Sequence, residues 1–162
     1  MARIRLKVIG RVRNSVRDMK REGWESVVSE VVLNPRYEEA LEGVEDYSHL
    51  LILFWMNRVQ KGRRGMKKVH PKSRQDLPLV GIFATRTQYR PNPLGLTLVK
   101  LLRRKKNILR VRGLDAVNGT PVIDIKPISP LHEFPRDARV PGWYYQLWKE
   151  PKKRPLGISL KK

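Results

Sequence analysis

Alternating and continuous apolar runs along the chain predict a series of short β-strands. Residues 4–8 alternate apolar with basic side chains, which is the period of two typical of a strand with one buried face. The unbroken apolar run 50–56 predicts a central strand buried on both faces. Further strands are predicted at 27–33, 79–84, 94–102, 108–117 and 121–128.

Turn and helix signals divide these strands. Asn34 as N-cap, Pro35 at the first helical position and Gly43 as a stop predict one short helix. Asn118-Gly119 predicts a type I′ hairpin between strands 108–117 and 121–128. Seven of the 12 prolines lie in 121–162, which predicts an irregular C-terminal segment. The pattern as a whole predicts a mostly β fold, either a barrel or a sandwich, with one short helix.

Length and composition exclude several classes of protein. A chain of 162 residues predicts a single domain, here 1–149, followed by a basic C-terminal tail at 150–162. The chain has no cysteine, and its three histidines lack ligand spacing, so we expect no disulfide and no metal site. The absence of a G-x-G-x-x-G motif after a strand indicates a non-Rossmann fold. No apolar run reaches the roughly 20 residues of a membrane span and the start lacks a signal-peptide core, so a cytoplasmic protein is expected.

Charge indicates the kind of partner. The chain carries 35 Lys and Arg against 15 Asp and Glu, a net charge of +20. Residues 1–46 hold nine of each sign, so the whole excess lies in 47–162. Residues 57–75 carry eight Lys or Arg and no carboxylate, which predicts an exposed loop or a basic arm that charge repulsion keeps extended until an anion binds. An unbalanced field of this size favours a polyanion such as nucleic acid.

The segment 81–95, G-I-F-A-T-R-T-Q-Y-R-P-N-P-L-G, has the densest candidate chemistry. A predicted strand delivers Thr85 and Arg86 at its end, and Pro91 and Pro93 then fix two backbone φ angles. The residues before the two prolines, Arg90 and Asn92, are held extended. Rigid loops at strand ends are where functional side chains concentrate.

Three collinear motifs make the sequence recognisable: G-V-E-D-Y-S-H-L-L-I-L-F-W (43–55), G-I-F-A-T-R…R-P-N-P-L-G-L (81–96) and D-A-V-N-G-T-P-V-I-D-I-K-P (115–127). Over roughly 8–130 the chain resembles the TsaA/TrmO-like family. The resemblance implies a β-barrel methyltransferase that uses S-adenosylmethionine to modify N6 of threonylcarbamoyladenosine, next to the anticodon of certain tRNAs. It also implies a homodimer with the cofactor near the subunit interface.

The resemblance implies cofactor contacts at Arg86, Leu96, Asp115, Ala116, Val117 and Asn118. Two departures from the family pattern matter. Residues 17–26 lack the Pro-Arg-Gln stretch that contacts the cofactor in many bacterial members, and Asn57-Arg58 replaces a His-Gln pair. Asn57 and Arg58 can still donate hydrogen bonds to the cofactor, but neither can act as a general base. The catalytic base is unassigned: His49 is expected to be structural, and Asp124 and Tyr89 are weaker candidates.

For the RNA, we expect the basic segment and neighbouring polar residues to contact phosphates: Arg63, Arg64, Lys67, Lys68, Arg90, Asn92 and Lys126. The aromatic residues Trp143, Tyr144, Tyr145 and Trp148 are expected to pack the C-terminal segment rather than to stack on bases. Longer members add a C-terminal domain, so here the core and its basic loops are expected to grip the substrate. The alternatives are a non-catalytic RNA-binding β-barrel protein, or a methyltransferase on another RNA base or on a small molecule.

Overall fold

A computed structural model describes residues 4–19, 22–133 and 137–147. Within them the strands are β1 Gly10–Arg13, β2 Val28–Leu33, β3 His49–Trp55, β4 Lys68–Val69, β5 Val80–Gly81, β6 Leu94–Lys105, β7 Ile108–Arg112 and β8 Pro121–Pro127. Six of these strands close an antiparallel barrel in the order β1-β2-β7-β6-β3-β8, and β4 pairs separately with β5. The predicted mostly β fold is confirmed, and the barrel rather than the sandwich is the observed form.

The helical elements in the described residues are short. They are the 3₁₀ turns Trp24–Ser26, Pro35–Tyr37, Glu39–Leu41, Val44–Asp46, Lys61–Arg63, Pro71–Ser73 and Ile82–Ala84, with helix α1 at Pro130–Glu133 and helix α2 at Gly142–Gln146. The predicted helix begins where expected, because the Asn34 side chain accepts a hydrogen bond from the Arg36 amide at 3.2 Å. It forms two 3₁₀ turns instead of an α-helix and stops at Gly43, whose φ is +78°.

The core fills the barrel. Its fully buried side chains include Val12, Val31, Leu50, Ile52, Val99, Leu109, Val111 and Val122. Alternate residues of β3 point inward, so Leu51, Leu53 and Trp55 remain only half-buried on the outer face. The prediction that this strand is buried on both faces was therefore wrong, since a closed barrel has one interior and nothing described here covers its outer wall fully.

The predicted strand at 4–8 was also wrong. These residues form no regular structure, and Ile4, Leu6 and Val8 are 82%, 51% and 46% exposed. The first strand starts at Gly10, where the chain pairs with both β2 and β8. An alternating segment forms a strand only where a neighbouring strand can supply hydrogen bonds. Here pairing with β2 and β8 begins at Gly10, two residues after the predicted strand ends.

The predicted Asn118-Gly119 hairpin does not form. β7 lies between β2 and β6, whereas β8 lies between β1 and β3. β7 ends at Arg112 instead of 117, and residues 113–120 cross the barrel end as a loop. Of the two turn residues Asn118 and Gly119, only Gly119 has a positive φ, +82°, and the Thr120 amide donates to the Val117 carbonyl at 3.2 Å, so this is a type II turn rather than type I′.

Three further segments differ from their predictions. The expected strand at 79–84 is limited to β5, after which the chain enters a 3₁₀ turn. β6 runs on to Lys105, beyond the predicted end at 102, because it continues past a bulge between Leu101 and Arg103 to pair with β7. The basic segment 57–75 is not extended: buried Val59 and Pro71 attach it to the body of the protein.

The C-terminal segment has two short helices with irregular chain around them. Helix α2 docks on the segment 71–77, because Arg74 donates to the Gln146 carbonyl at 2.9 Å and Lys72 to the Leu147 carbonyl at 3.3 Å. The rings of Trp143 and Tyr144 lie 6.2 Å apart with a 60° tilt. Trp148 and the tail 150–162 lie outside the described residues.

Candidate functional site

A pocket of about 410 Å³, including space open to solvent, lies at the barrel mouth where β3 ends. The loop 113–120 closes one side and residues 56–59 the other. Its lining is mostly apolar with a few polar groups, as in small-molecule sites. The lining residues are Met19, Phe54, Met56, Asn57, Arg58, Val59, Gln88, Asp115, Ala116, Val117 and Thr120.

Asn14 fixes the loop that follows β1 against this pocket. Its side-chain amide donates to the Ser29 hydroxyl and to the Ala116 carbonyl, both at 2.9 Å. Its backbone amide donates to the Asn118 side-chain oxygen at 3.1 Å, and the Asn118 amide donates to the Val16 carbonyl at 2.8 Å. The loops 14–19 and 115–118 therefore form one hydrogen-bonded unit. No motif or periodicity in the sequence identifies Asn14.

Arg58 connects the same two loops from the opposite side. One guanidinium nitrogen donates to the Arg17 carbonyl, and the other lies 3.3 Å from the Asn118 carbonyl oxygen. Arg58 also lines the pocket. Arg58, which replaces the glutamine of the family pattern, therefore stabilises the pocket wall through these hydrogen bonds. Its guanidinium also presents a positive charge to a ligand in the pocket.

Asp115 connects the pocket to β6. Its carboxylate accepts a hydrogen bond from the Thr97 hydroxyl. One residue earlier on β6, the Leu96 carbonyl accepts from the Arg86 guanidinium at 2.9 Å. This half of β6 pairs with β3 on one edge only, because pairing with β7 begins at Lys100. The Arg86 and Asp115 segments therefore lie next to each other, because each bonds to one of two adjacent residues, Leu96 and Thr97, in the part of β6 that does not pair with β7.

The structure brings most of the predicted cofactor residues together. Asn57, Arg58, Asp115, Ala116 and Val117 line one pocket. Asn118 lies directly behind it and is held by Asn14 and Arg58. Arg86 and Leu96 contact each other on the outer side of β6 and do not line this pocket. Sequence reasoning missed Gln88, although it lies inside the 81–96 motif, and also missed the apolar lining residues Met19, Phe54 and Met56.

The proline-rich loop after β5 is rigid because Arg90 holds it from inside. Its guanidinium donates to the Thr85 carbonyl at 2.7 Å and lies 5.4 Å from the centre of the Phe83 ring. Arg90 is only partly exposed, and these contacts hold its side chain against the loop. Its contact with RNA phosphates stays a prediction. Asn92 is exposed, and its carbonyl accepts from the Leu94 amide at 2.8 Å.

The residues of the basic segment that are predicted to contact RNA differ in exposure and in their contacts with other side chains. Lys67 and Lys68 are exposed. Arg63 donates to the Tyr89 hydroxyl at 3.1 Å and lies over its ring. Arg64 lies over the Trp55 ring at 5.9 Å, with a buried Nε that has no hydrogen-bond partner among the described residues. On β8, exposed Lys126 pairs with Asp124 at 3.1 Å.

The candidate bases are placed differently. Hydrogen bonds from Gln88 and then Arg63 lower the pKa of Tyr89, which adjoins the pocket residue Gln88. His49 lies six residues before the pocket end of β3, about 20 Å along the strand, and its Nδ1 lies 2.8 Å from the Ser48 hydroxyl. Asp124 is paired with Lys126 opposite Leu53 on the outer wall. The structural role of His49 stays a prediction.

The described residues contain no group of three or more His, Asp or Glu placed to hold a metal ion. A search of the same residues found no helix with the length and apolarity needed to cross a membrane.

Comparison with known proteins decides the family. The sequence model of the tRNA-methyltransferase O N-terminal domain matches residues 17–133, which is more than half of the chain. The chain belongs to this family. The match contains the whole lining of the pocket, from Met19 to Thr120.

Relatives of this family are found in archaea and bacteria. A "probable S-adenosyl-L-methionine-binding protein" of Methanothermobacter thermautotrophicus is 41% identical over 128 residues, 76% of this chain and 89% of that protein. The "tRNA (adenine(37)-N6)-methyltransferase" of Escherichia coli is 41% identical over 105 residues, 62% of this chain and 44% of that protein. The crystal structure of TrmO from Pseudomonas aeruginosa superposes with a TM-score of 0.68 at 29% identity, covering 85% of this chain and 62% of that one.

The lengths of the relatives differ. A 34% identical "probable S-adenosyl-L-methionine-binding protein" of Archaeoglobus fulgidus matches 89% of this chain, but the chain spans only 39% of that protein. The chain also spans less than half of the Escherichia coli methyltransferase.

Proposed function

We propose that this chain binds S-adenosylmethionine in the pocket at the barrel mouth and transfers its methyl group to N6 of an adenosine next to the anticodon of a tRNA. The resemblance implies that this adenosine carries a threonylcarbamoyl group. The observation that carries the proposal is the meeting of two distant segments, 57–58 and 115–117, in one pocket. Both segments were predicted to contact the cofactor, and two independent kinds of relative are named for this cofactor and this reaction.

The pocket lining fits the parts of S-adenosylmethionine. Phe54, Met56 and Val117 provide an apolar wall suited to an adenine ring. Asp115 offers a carboxylate to ribose hydroxyls or to the amino group, and Arg58 offers a cation to the carboxylate of the methionine part. When bound, the cofactor supplies an electrophilic methyl group on a cationic sulfur.

The contribution of this chain is positioning. The hydrogen bonds of Asn14 and Arg58 fix the two pocket loops, so the lining is organised before any ligand enters. Holding the attacking nitrogen in line with the methyl carbon, about 3 to 3.5 Å away, removes much of the barrier of a displacement reaction.

A titration of the purified protein with S-adenosylmethionine in a calorimeter tests the cofactor step by itself. We expect saturable binding with one site per chain, and competition by the demethylated product, because the lining residues hold the nucleoside and amino-acid parts that both compounds share. A protein that is folded by circular dichroism but gives no heat with either compound contradicts the proposal.

The outer face of β3 and β6 is the surface that we assign to a homodimer. Side chains of the two strands stand directly opposite each other there: Leu51 with Leu98, Leu53 with Leu96 and Trp55 with Leu94. The outward face of an antiparallel sheet is normally polar, and a continuous apolar patch marks an interface. Leu96, 45% exposed and bonded through its carbonyl to Arg86, would lie in that interface beside the pocket.

Replacing Leu53 and Leu98 by lysine is therefore expected to convert the dimer into a monomer, because two cations per subunit would be buried at the symmetry axis. Sedimentation equilibrium reads the mass directly. Leu79→Lys is the matched control, since Leu79 is 54% exposed elsewhere on the surface and its replacement leaves the mass unchanged. A wild-type protein that sediments as a monomer at all concentrations argues against the assignment.

The proposed tRNA surface includes the exposed parts of the basic segment 57–75, together with Asn92 and with Lys126 on β8. Phosphate contacts from such residues give binding that weakens steeply with salt. An anticodon loop is single-stranded, so its adenosine can enter the pocket without being flipped from a duplex. A protein with this substrate acts where tRNA is processed, which in a prokaryotic cell is the cytoplasm.

A further inference from the structure

Four exposed cations form a compact group on the outer wall of the barrel, beside the apolar face, since Lys100 follows Leu98 by two residues on the same side of β6. They are Lys100 and Arg103 on β6 and Arg110 and Arg112 on β7, and we call them the cationic wall. The strand register places Arg110 directly opposite Arg103, and Arg112 directly opposite Lys100. Neighbouring strands lie about 5 Å apart and same-face residues about 7 Å apart along a strand, so the four side chains emerge from one small area.

Folding does not explain this arrangement. Like charges directly opposite each other on neighbouring strands destabilise a sheet. The adjoining β1–β2 pair has the favourable alternative, because Arg13 and Glu30 stand opposite each other with a salt bridge of 2.6 Å. Glu30 also stands directly opposite Arg110 on the β7 side, but its carboxylate forms its ion pair with Arg13. None of the ion pairs among the described residues includes a residue of the cationic wall. The four charges are therefore available to an external anion.

The wall leads towards the proposed active site. β7 runs from Ile108 to Arg112, and the chain reaches the pocket residue Asp115 three residues later. The barrel order places β7 and β6 between β2 and β3, so the wall is next to the strand whose end forms the pocket. An extended polyanion bound along the wall can continue to the barrel mouth.

We propose that the cationic wall binds the sugar-phosphate backbone of the substrate RNA and holds it while the target base enters the pocket. Guanidinium groups match phosphate oxygens in charge and in bidentate geometry. The choice of RNA rests on the proposed function, whereas the anion-binding character rests on the wall itself.

The test replaces all four wall residues by glutamine and measures tRNA affinity as a function of salt. The variant is expected to bind tRNA about 10- to 100-fold more weakly at about 100 mM salt, with a slope of log K against log salt smaller by about 2 to 3. Its melting temperature is expected to equal or exceed that of the wild type, because two like-charge pairs are removed. Glu30→Gln is expected to have the opposite effect. It removes a negative charge next to the wall, so the variant should bind tRNA more tightly.

The matched control, Arg5→Gln with Lys7→Gln, Arg36→Gln and Arg139→Gln, removes the same charge from exposed positions elsewhere. Equal weakening by the control and the wall variant would mean that only net charge matters and would overturn the proposal. Wall-dependent binding to phosphatidylserine vesicles with unchanged tRNA affinity would overturn it in favour of a membrane. Titration with S-adenosylmethionine distinguishes failure of the wall proposal from failure of the proposed function. If tRNA binding depends on the wall but the protein does not bind S-adenosylmethionine, the proposed function is contradicted and the RNA-binding role of the wall still holds.

Discussion

Asp115→Ala is expected to weaken S-adenosylmethionine binding by about 10- to 100-fold, because a hydrogen bond between a charged and a polar group contributes about 1.5 to 3 kcal/mol. Asp115 is exposed in the pocket wall and accepts a hydrogen bond from Thr97, so its carboxylate is already oriented for a ligand. Calorimetric titration of the variant measures the effect directly. Methyl transfer is expected to fall at least as much at limiting cofactor concentration.

The control for this variant is Asp46→Ala, which removes an exposed carboxylate from the 3₁₀ turn at Val44–Asp46, outside the pocket lining. Its cofactor affinity is expected to match the wild type. If both variants bind S-adenosylmethionine with wild-type affinity while remaining folded, the pocket that we describe is not the cofactor site.

Gly95→Ala is expected to lower the free energy of unfolding by about 3 kcal/mol, at the upper end of the usual cost of overpacking a core. An added Cβ at this position would lie 2.3 Å from two atoms of the Phe54 ring, and Phe54 is only 3% exposed beneath the pocket. The ring can move only into the pocket or against the core. Urea unfolding followed by fluorescence measures the loss.

Gly81→Ala provides the comparison, because nothing lies within 4 Å of an added Cβ there and the glycine has an ordinary extended backbone, with φ −58°. We expect its unfolding free energy to change by less than about 0.5 kcal/mol. An equal, small change at both glycines would show that the Phe54 ring is not held over β6 as described.

The sequence allowed the mostly β fold to be predicted, because most of its strands carry strong local signals, but the choice of a barrel over a sandwich came from the resemblance to the TsaA/TrmO-like family. Alternation and apolar runs located β2, β3, β6 and β8 to within a few residues. Strand pairing was less accessible: Asn118-Gly119 has the local chemistry of a hairpin, yet the strands on either side pair with β1, β2, β3 and β6. In this closed barrel, strands pair with strands from distant parts of the chain, and a local turn motif carries no information about such pairs.

The candidate site was predictable where it lies in recognisable motifs. Asp115, Ala116 and Val117 line the pocket as the resemblance implied, and Asn57 and Arg58 do so despite departing from the family pattern. Asn14 could not have been predicted, since its role depends on contacts with residues about 15 and 100 positions away. The cationic wall was equally hidden, because its charges are neighbours only once β6 and β7 pair past a bulge.

Nucleoside mass spectrometry of tRNA, after incubation with the purified protein and S-adenosylmethionine, tests the proposed methyl transfer most directly. We expect one added methyl group on N6 of the adenosine next to the anticodon, and a yield lower by about 10-fold or more with the Asp115→Ala variant at limiting cofactor. The proposal would be contradicted if a protein sample that binds both S-adenosylmethionine and tRNA left the tRNA unmodified, whether or not the adenosine carries the threonylcarbamoyl group.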